Sequence, residues 1–568
     1  MGIDRRFRIC PDTGLALHRP AERLIKANAV AAVVCLLVGG ILAIGVALTR
    51  WPAVHLLPVT SFYTALTAHG LDMLIFWIIF FEIAVLYFAS STLLRCRLAT
   101  PRLAWLGFAL MVIGAVLTNL VILQGRSSVM MTSYVPLRAE PGFYLGLILF
   151  AVGALIGCFI FLGTLVIARY EKTYDGSIPL VVFGALTACI IAIFTIASGA
   201  IVLIPTFLWS IGLVSHFDPL MYRVIWWGMG HSSQQINVAT QIAIWYAIAA
   251  IVFGARPMSE RVSRTAFLLY ILFLQLASAH HLLVDPGISS SWKVFNTSYF
   301  MYLAVLASMI HGLTVPGSIE LAQRRKGLTK GLFEWLRKAP WGNPVFSSMF
   351  ISLVGFGFLG GITGVMMGTE QLNINVHNTL YVPGHFHATV VVGTTLAFMG
   401  LTYFLVPVLF RREIIFKGLA RWQPYIYGLG MSAVSLFMMG AGTLGVPRRD
   451  WDITGAGLPF APHWPGAAYL MLGLLGISAI VAVLGGAAFI VITVGSILFG
   501  KRLETGETTT APSRLERAAP VAAALEGYGG GGTLVTPGTF VLALVFLLTF
   551  VVYYFISWKY LGTVWGLH

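Results

Sequence analysis

Six histidines lie at the ends of long apolar stretches, where a neutral imidazole can hold a metal: His69, His231, His280, His281, His385 and His387. His385 and His387 are separated by one residue. Because an α-helix turns about 100° per residue, their rings point about 200° apart. They cannot easily coordinate the same metal. Each can instead ligate a different metal on its own face of the helix, with Phe386 between them.

The other four histidines can complete two metal sites of different composition. His280 and His281 are adjacent near the end of a predicted helix, and they can converge on one metal with His231. His69 can pair with one histidine of the His-Phe-His segment as the two axial ligands of a low-spin heme. Imidazole is a common ligand of heme iron and of copper.

The elements that carry these histidines are predicted to be membrane-spanning helices. Charged residues make up 10% of the 568 residues and apolar residues 58%, whereas a soluble domain carries about 25% charged residues. Apolar runs of about 20 residues, the length that spans a bilayer as a helix, recur along the whole chain. This pattern predicts an all-α polytopic membrane protein in a lipid bilayer, and it excludes an ordinary soluble enzyme, a disordered tail and a nucleic-acid-binding protein. The thirteen predicted spans are 28–48, 66–92, 103–124, 142–168, 179–205, 226–252, 265–284, 296–316, 344–367, 384–410, 424–445, 466–499 and 537–558.

The distribution of lysine and arginine predicts the orientation of these spans. Basic residues cluster before the first span and in the loops after spans two, six, eight and ten, and the alternate loops are poor in them. Because cytoplasmic loops collect Lys and Arg, we expect a cytoplasmic N-terminus and an external C-terminus in a bacterial or archaeal plasma membrane. The net charge of +15 follows from these loops and needs no nucleic-acid partner. All six histidines then lie at a similar depth in the outer half of the bilayer, which favours metal binding over six separately satisfied polar residues.

The sequence predicts four parts. Residues 1–27 form a cytoplasmic N-terminal segment, 28–499 a twelve-helix core, 500–536 a cytoplasmic linker, and 537–568 a thirteenth helix with an external C-terminus. The linker is charged and then Gly-rich from Gly529 to Gly532, a composition typical of a flexible connection. The five cysteines are scattered and suggest neither a disulfide framework nor a thiolate metal site.

Several segments together resemble catalytic subunit I of the heme–copper oxidoreductase superfamily, over roughly residues 60–450. The segment 381–387 (Tyr-Val-Pro-Gly-His-Phe-His) resembles the family's helix-ten heme motif. His280 and His281, followed by Asp-Pro-Gly at 285–287 and Trp-Lys at 292–293, resemble its helix-seven copper ligands and the loop after them. Val-Pro-Arg-Arg at 446–449 resembles the arginine pair that holds heme propionates. Tyr-Val-Pro-Leu at 134–137 and Val-His-Asn at 376–378 also match. The thirteen spans and these loops are most similar to the B-type oxidases rather than to the mitochondrial-like A-type.

This resemblance implies a role for each candidate residue. His69 and His387 would ligate a low-spin heme, and His385 would be the proximal ligand of a high-spin heme. The residues that would hold the non-heme metal facing that heme are His231, His280 and His281. The residues that would contact heme propionates are Arg448, Arg449, His377 and Asp285. An arginine guanidinium matches the fork of a carboxylate, although loop capping and solvation also account for these four residues.

The resemblance also implies cofactors and a partner. Two hemes are expected, one low-spin and one high-spin and both b-type, together with one non-heme metal. Three imidazoles with no carboxylate visible beside His231 suit copper better than iron. The sequence contains neither a Cys-rich copper site nor a Cys-x-x-Cys-His heme-attachment motif. We therefore expect an electron-delivering second subunit that is copper-bearing, heme c-bearing or quinol-linked.

One position departs from the oxidase pattern. In the A- and B-type oxidases the helix-six histidine is followed four residues later by tyrosine, which is covalently joined to a copper-ligand histidine. Here the segment 230–235 reads Gly-His-Ser-Ser-Gln-Gln, so Gln235 occupies the tyrosine position. Residues four apart share a helix face, and we expect Gln235 to face the same cavity as His231.

Reduction of O₂ and reduction of NO differ in their need for that tyrosine. One-step cleavage of O₂ requires four electrons, one of which comes from the tyrosine together with a proton, and glutamine supplies neither. Joining two NO molecules into N₂O takes two electrons and two protons and needs no tyrosyl radical. Family members that lack the tyrosine are nitric oxide reductases, although the better-known ones carry glutamate there and non-heme iron.

We therefore predict a nitric oxide reductase in which the two metals bind NO. Gln235 then either hydrogen-bonds an N–O intermediate or only fills the cavity. One alternative is a terminal O₂ reductase, a cytochrome oxidase of the B type, with a displaced tyrosine. A minor alternative is a cofactor-free proton-coupled transporter.

Two carboxylates lie well inside a predicted span, Asp72 and Glu82 in span two. Asp72 follows His69 by three residues and shares its face. Glu82 lies 13 residues beyond His69, or about 20 Å deeper at 1.5 Å per residue. For Glu82, proton entry and a pair with a neighbouring helix are both open. Tyr246 and Ser308 match polar positions of the B-type proton path only loosely, so the sequence does not predict proton pumping.

Overall fold

The computed structural model describes residues 6–274, 276–455, 463–509 and 535–564. Within these residues, twelve helices are long and apolar enough to cross a membrane. Together with the shorter helix α7, they are α1 Arg19–Arg50, α2 Val59–Thr92, α3 Pro101–Leu123, α4 Pro141–Tyr170, α5 Leu180–Ser210, α6 Pro219–Phe253, α7 Glu260–Leu269, α8 Ser290–Arg325, α9 Pro344–Gly368, α10 Tyr381–Phe410, α11 Lys417–Thr443, α12 Gly466–Phe499 and α13 Pro537–Val564. Two further short helices, Glu334–Arg337 and Glu370–Val376, lie in the connections before α9 and before α10. The prediction of an all-helical, many-span membrane protein is confirmed.

The seventh span differs most from its prediction. α7 continues as the π-helical turn Tyr270–Leu274, and a single 3₁₀ turn, Ala279–His281, follows it. The segment predicted to be helical over 265–284 is therefore helical only to Leu274. His280 and His281 lie in a turn beyond the helix rather than on it, which lets two adjacent residues approach the same point.

Two helices that carry histidines begin seven residues earlier than predicted. α2 begins at Val59 and α6 at Pro219, so His69 and His231 lie well inside their helices. The start of α6 is marked by Asp218, whose side chain accepts a hydrogen bond from the backbone nitrogen of Met221 at 2.6 Å. Proline in the first turn and an aspartate cap are standard start signals. Hydropathy alone detects the apolar length and misses such polar first turns.

π-helical turns interrupt several helices near the histidines. α2 contains one at Asp72–Phe76, α9 one at Phe356–Gly361 and α10 one at His387–Thr395. A π-turn shifts the register of all later side chains on its helix, and such turns are frequent at functional sites. Here they directly follow or lie beside the candidate ligands.

Glycines allow close helix contacts that position the loop after α11. A Cβ at Gly430 of α11 would lie 2.8 Å from the backbone nitrogen of Ala482 on α12, and a Cβ at Gly485 of α12 would lie 2.6 Å from the backbone nitrogen of Tyr427 on α11. Small residues of this kind let membrane helices pack backbone to backbone. Beyond α11 the chain pairs back onto the loop before α10, where Leu380 donates to the carbonyl of Val446 at 2.8 Å.

A small antiparallel sheet joins the N-terminal segment to the chain after α12. Its strands are β1 Phe7–Ile9, β2 Ala16–His18 and β3 Thr508–Thr509, in the order β2-β1-β3. The first residues of the predicted linker are thus paired with the N-terminal segment. The Gly-rich part of that linker, including 529–532, lies outside the described residues.

The last helix is attached through one buried carboxylate. Glu320 on α8 is fully buried and accepts hydrogen bonds from the backbone nitrogens of Gly538 and Thr539 at 3.0 and 2.6 Å, and from the Thr539 hydroxyl at 2.7 Å. A negative charge at a helix N-terminus is favourable because the first N–H groups lack partners there. Arg324 pairs with the same carboxylate at 2.7 Å.

Candidate metal centre

Three buried histidines from two elements meet at one point. His231 comes from the middle of α6, and His280 and His281 come from the turn after α7. One ligand atom from each lies within 4.8 Å of the other two, and His231 Nδ1 is 3.3 Å from His281 Nε2. Two nitrogens bound at about 2.0 Å to one metal with a tetrahedral angle would lie about 3.3 Å apart. The cluster therefore has the dimensions of a metal site, and no carboxylate of the described residues belongs to it.

Aromatic residues fix the orientation of this cluster. The Trp227 ring stacks on His281 with centroids 3.7 Å apart and an interplanar angle of 4°. The indole nitrogen of Trp227 donates to the Tyr134 hydroxyl at 2.8 Å. The ring of Phe386, which belongs to α10, lies parallel to the His281 ring with centroids 6.0 Å apart. A ring packed between two others in this way cannot rotate freely, so the orientation of His281 is fixed by its neighbours.

Gln235 lies against the nitrogen of His231 that points away from the cluster. It is buried, and its amide nitrogen is 3.1 Å from His231 Nε2. With Nδ1 facing the other two histidines, Nε2 must carry the hydrogen. The amide orientation that satisfies it has the Gln235 oxygen as acceptor. As expected from its spacing, Gln235 also lines the cavity that His231 lines.

His385 lies across a cavity of about 140 Å³ from the three-histidine cluster. Its Nδ1 is 3.0 Å from the Thr363 hydroxyl. That hydroxyl donates to backbone carbonyls of its own helix, including Gly360 at 3.1 Å, so it accepts from His385 and leaves Nε2 free. Gly360, Gly361 and Gly364 of α9 also line this cavity. A Cβ at Gly364 would lie 2.9 Å from Cε1 of His385, so the glycine keeps room beside the ring.

His387 lies on the other side of α10 and approaches His69 of α2. Their ring centroids are 6.5 Å apart with an interplanar angle of 23°. His69 Nδ1 is 2.9 Å from the Gly39 carbonyl, and His387 Nδ1 is 2.7 Å from the Pro383 carbonyl. Both Nδ1 atoms are therefore hydrogen-bond donors, which leaves both Nε2 atoms available as ligands.

The cavity beside His69 and His387 has room for a large apolar group. It measures about 430 Å³ and is bounded by α1, α2, α10, α11 and α12. Its walls are almost entirely apolar, except for the two imidazoles and three arginines at one end: Arg50, Arg448 and Arg449. Apolar walls, paired imidazoles and cations at one edge match the ring, the iron and the carboxylates of a heme. The residues present thus fit that group.

The arginines belong to a cluster at one end of the bundle, which we call the arginine end. It holds the four residues predicted to contact propionates and two further arginines: Arg50, Arg223, Asp285, His377, Arg448 and Arg449. Arg448 donates to Asn378 Oδ1 at 2.8 Å, and Arg223 pairs with Asp285 Oδ1 at 2.7 Å. The Tyr134 ring lies between the guanidiniums of Arg223 and Arg449, at 5.0 and 5.2 Å.

Several polar atoms of the arginine end have no hydrogen-bond partner among the described residues: Nε of Arg50, Arg223 and Arg448, Nε2 of His377 and Oδ2 of Asp285. Such buried groups are costly when unpaired. With four guanidiniums and few carboxylates, the cluster is suited to receive anionic carboxylates from a ligand.

The pKa values at the arginine end follow from burial and crowding of positive charge. Burial, followed by the neighbouring Arg448, Arg223 and Arg449, lowers the pKa of His377 to about 4. Burial and Arg449 lower the pKa of Arg448 to about 10. Burial also raises the pKa of Asp285, against the opposing effect of Arg223. His377 is therefore neutral at physiological pH and adds no charge to a cluster that is already positive.

Sequence reasoning missed four residues of the site. Arg50 and Arg223 are single arginines at the ends of apolar helices, and Thr363 and Trp227 support His385 and His281 from neighbouring elements. An arginine bordering a predicted span is an available signal, because such charges are expensive and usually paired. Nothing in the spacing marks Thr363, whose role depends on how α9 packs against α10.

Comparisons with known proteins agree with this geometry. A family model described as "Cytochrome C and Quinol oxidase polypeptide I" matches residues 23–484. Cytochrome c oxidase subunit 1 of Thermus thermophilus is 33% identical over 407 residues, which cover 70% of each chain. Quinol oxidase subunit 1 of Bacillus subtilis is 23% identical over 67% of this chain and 58% of that one.

A solved structure gives the same result for the fold. Its title is "Cryo-EM structure of a heme-copper terminal oxidase dimer provides insights into its catalytic mechanism". It superposes with a TM-score of 0.81 and 27% sequence identity, over 93% of this chain and 92% of that one. The histidine constellation, the fold and these matches agree, and the chain belongs to the family of heme–copper oxidase subunit I.

Proposed function

We propose that this chain is the catalytic subunit of a membrane nitric oxide reductase, which catalyses 2 NO + 2 e⁻ + 2 H⁺ → N₂O + H₂O. The observation that carries the proposal is the position of Gln235. Its amide lies 3.1 Å from His231 Nε2, beside the three-histidine cluster. By the resemblance to A- and B-type oxidases, this position would correspond to that of their redox-active tyrosine.

The residue at this position limits the electrons that the protein can supply. A phenol gives one electron and one proton, whereas a carboxamide has neither an accessible redox state nor a titratable proton. None of the described residues that line the cavity between His385 and the cluster is a tyrosine. Reduction of two NO molecules needs only two electrons, so the missing phenol does not prevent it.

The cofactors expected here are two b-type hemes and a non-heme metal, copper rather than iron. When bound, they supply the electrons and the positions at which NO is held. His69 and His387 would hold one heme and His385 the other. The non-heme metal would be held by His231, His280 and His281. The absence of a carboxylate from the described cluster supports copper.

Gln235 has a positioning role in this proposal. The family's tyrosine is joined covalently to a copper-ligand histidine. Here a hydrogen bond of 3.1 Å takes its place and holds His231 with Nδ1 toward the cluster. The amide also faces the cavity, where it can donate a hydrogen bond to a polar N–O group.

Reduction of O₂ is the second candidate function. The Thermus and Bacillus relatives are named cytochrome c oxidase and quinol oxidase subunits, and a tyrosine lies one hydrogen bond from the cavity. Tyr270 is 2.7 Å from Ser308, whose side chain lines that cavity. If Tyr270 supplied the fourth electron through Ser308, the chain would be a terminal oxidase.

Membership of the family argues against the cofactor-free transporter. A reduced-minus-oxidised spectrum of the purified protein tests this directly, because a transporter would show no heme bands. For the same protein we propose an external electron-delivering subunit, either copper-bearing, heme c-bearing or quinol-linked, and a cytoplasmic N-terminus in a prokaryotic plasma membrane.

The test compares two substrates on one preparation. The purified complex is supplied with an artificial reductant, and NO consumption, N₂O formation and O₂ consumption are measured separately. Fast NO loss with stoichiometric N₂O and slow O₂ use is the expected result. Fast reduction of O₂ to water with little NO turnover would overturn the proposal, and loss of that activity in Tyr270→Phe would identify the displaced tyrosine.

Variants of Gln235 separate its roles. Gln235→Leu keeps the volume but removes the hydrogen bond to His231, and should lower NO turnover and metal content together. Gln235→Glu keeps an acceptor and should preserve metal binding. If Gln235→Leu turned over NO at the wild-type rate, Gln235 would only fill space.

A further inference from the structure

Glu82 is a buried carboxylate surrounded by neutral groups. It lies in the middle of α2 and is 5% exposed. With its nitrogen turned toward Glu82, the Asn237 amide donates to Glu82 Oε1 at 2.9 Å. The Thr240 hydroxyl is a second hydrogen-bond partner. An ionisable residue at this depth is costly and usually functional, and the sites described above do not use it.

α6 presents a polar stripe toward Glu82. Its members are uncharged and lie on one side of the helix: Ser233, Gln234, Asn237 and Thr240. They line a second cavity of about 140 Å³, together with Glu82 and apolar residues of α2, α4 and α5. A cavity of this size has room for several water molecules, and the stripe supplies the polar partners that ordered water needs.

The stripe also borders the cavity of the metal centre. Gln234 and Asn237 line both cavities, so their side chains form the wall between Glu82 and the three-histidine cluster. Polar side chains follow one another across this wall. Asn237 is 3.2 Å from the Gln234 amide, and Gln234 is 3.4 Å from the Ser233 hydroxyl. Among the groups packed around Glu82, the other titratable one is the Cys158 thiol of α4.

We propose that Glu82 supplies protons to the metal-centre cavity across the Gln234–Asn237 wall. The protonated carboxyl releases H⁺ to water held by the polar stripe, and becomes a carboxylate that Asn237 and Thr240 stabilise. The proton passes the wall and is consumed with the electrons that reduce NO. Solvent then reprotonates Glu82, so two such cycles account for the two protons of each N₂O formed. The inference rests on the proposed function only for the identity of the proton-consuming reaction.

The experiment compares two carboxyl-to-amide substitutions in the same helix of the full complex. Glu82→Gln keeps the size and removes the proton. Asp72→Asn does the same ten residues earlier, where Asp72 is buried and accepts from Asn119 at 3.0 Å. Glu82→Gln should lower NO turnover by about a hundredfold, the range of a lost proton donor, with unchanged heme spectra. Asp72→Asn should turn over normally, and Glu82→Asp should recover most of the rate with a shifted pH profile.

Two readouts do not depend on turnover. The infrared difference spectrum of reduction should contain a protonated-carboxyl band that disappears in Glu82→Gln and persists in Asp72→Asn. A pH-indicator dye should show that proton uptake in a single turnover is slowed in Glu82→Gln. An equal loss in both variants, or wild-type turnover in Glu82→Gln, would overturn the proposal.

Further outcomes separate this proposal from the assignment of the reaction. If the wild-type complex reduces O₂ instead of NO, the same comparison is made with O₂, and a selective loss in Glu82→Gln would support the relay although the proposed function had failed. If Glu82→Gln does not assemble with heme, Asn237→Leu replaces it. That variant keeps Glu82 but removes the amide between the cavities and should slow turnover similarly, whereas an unchanged rate would overturn the proposal.

Discussion

Thr363→Val is the substitution that most directly tests how His385 is held. The Thr363 hydroxyl accepts from His385 Nδ1 at 3.0 Å and donates to a backbone carbonyl of its own helix. Valine has the same shape but no oxygen, so it leaves a buried N–H without its partner. An unsatisfied buried donor costs about 1–3 kcal/mol, which corresponds to about 5- to 150-fold in affinity for the group that His385 would bind.

The structure also indicates where in that range the effect should fall. The Gly360 carbonyl lies near the same ring, and a small rotation of His385 would let Nδ1 donate to it instead. That rotation would move Nε2 away from its present direction, so part of the cost would appear as altered ligand geometry. We therefore expect the affinity for the group that His385 would bind to fall by about tenfold, while the protein still folds.

The assay measures how fast the high-spin heme leaves the purified complex for an excess of heme-binding acceptor protein. On the proposed assignment, CO binding would report the heme held by His385, and the low-spin bands would report the heme held by His69 and His387. Thr363→Ser keeps the hydroxyl and serves as the matched control. Equal heme loss from Thr363→Val and Thr363→Ser would refute the reasoning, because it would mean that the hydrogen bond does not orient His385.

Three further substitutions test other parts of the structure. Gly364→Ala places a Cβ 2.9 Å from Cε1 of His385 and should abolish CO binding while the low-spin spectrum persists. Gly357→Ala is the control, because its Cβ would have its nearest neighbour 3.7 Å away, and it should behave as wild type. Equal loss of CO binding in both variants would contradict the role given to Gly364. Glu320→Gln removes the charge that holds the start of α13 and should lower stability by about 1–3 kcal/mol, measured as earlier thermal unfolding and faster proteolysis of the last helix. Wild-type resistance would show that the other contacts of α13, such as the hydrogen bond between Tyr553 and Tyr381 at 3.1 Å, are enough to hold it. His377 has a pKa lowered to about 4 against an ordinary 6.5, so the unfolded chain binds more protons between these values and the folded state loses stability as pH falls from 6.5 to 4. His377→Asn should flatten that part of the curve of thermal inactivation against pH, and an unchanged slope would assign the effect to other groups.

The parts of the fold that could be predicted are those that a short stretch of sequence determines by itself. The spans could be located because a bilayer demands about twenty apolar residues in a row. The face of α10 that each of His385 and His387 occupies followed from helical periodicity alone. The first turns of α2 and α6 were missed because Thr60, Ser61 and Thr64 interrupt the apolar run in one and Arg223 interrupts it in the other. β1, β2 and β3 were missed because strands of two or three residues have no periodicity to detect.

The residues of the site could be predicted from the sequence only where they belong to a short segment with a recognisable spacing. Arg50 and Arg223 belong to the arginine end as Arg448 does, yet they come from separate helices and carry no motif. Their proximity depends on tertiary packing, such as the contact of Arg50 with the Arg448 carbonyl at 2.5 Å. Thr363 and Trp227 support histidines from across a helix interface, and a single sequence contains no record of such contacts.

The position of Gln235 explains how the proposed reaction can differ from that of the oxidases while His231 keeps its orientation toward His281. A glutamine four residues after His231 still reaches Nε2 of that ring, so the imidazole keeps Nδ1 toward His281 at 3.3 Å. A glutamine in place of a tyrosine would therefore remove the electron and proton that a phenol supplies, without disturbing the three-histidine cluster. The protons must then come from elsewhere, and Glu82 is the buried carboxylate whose cavity shares a wall with the metal centre. On this reasoning Gln235→Tyr alone should restore little O₂ chemistry, because its phenol would still need the covalent bond to His231 and a matched proton supply.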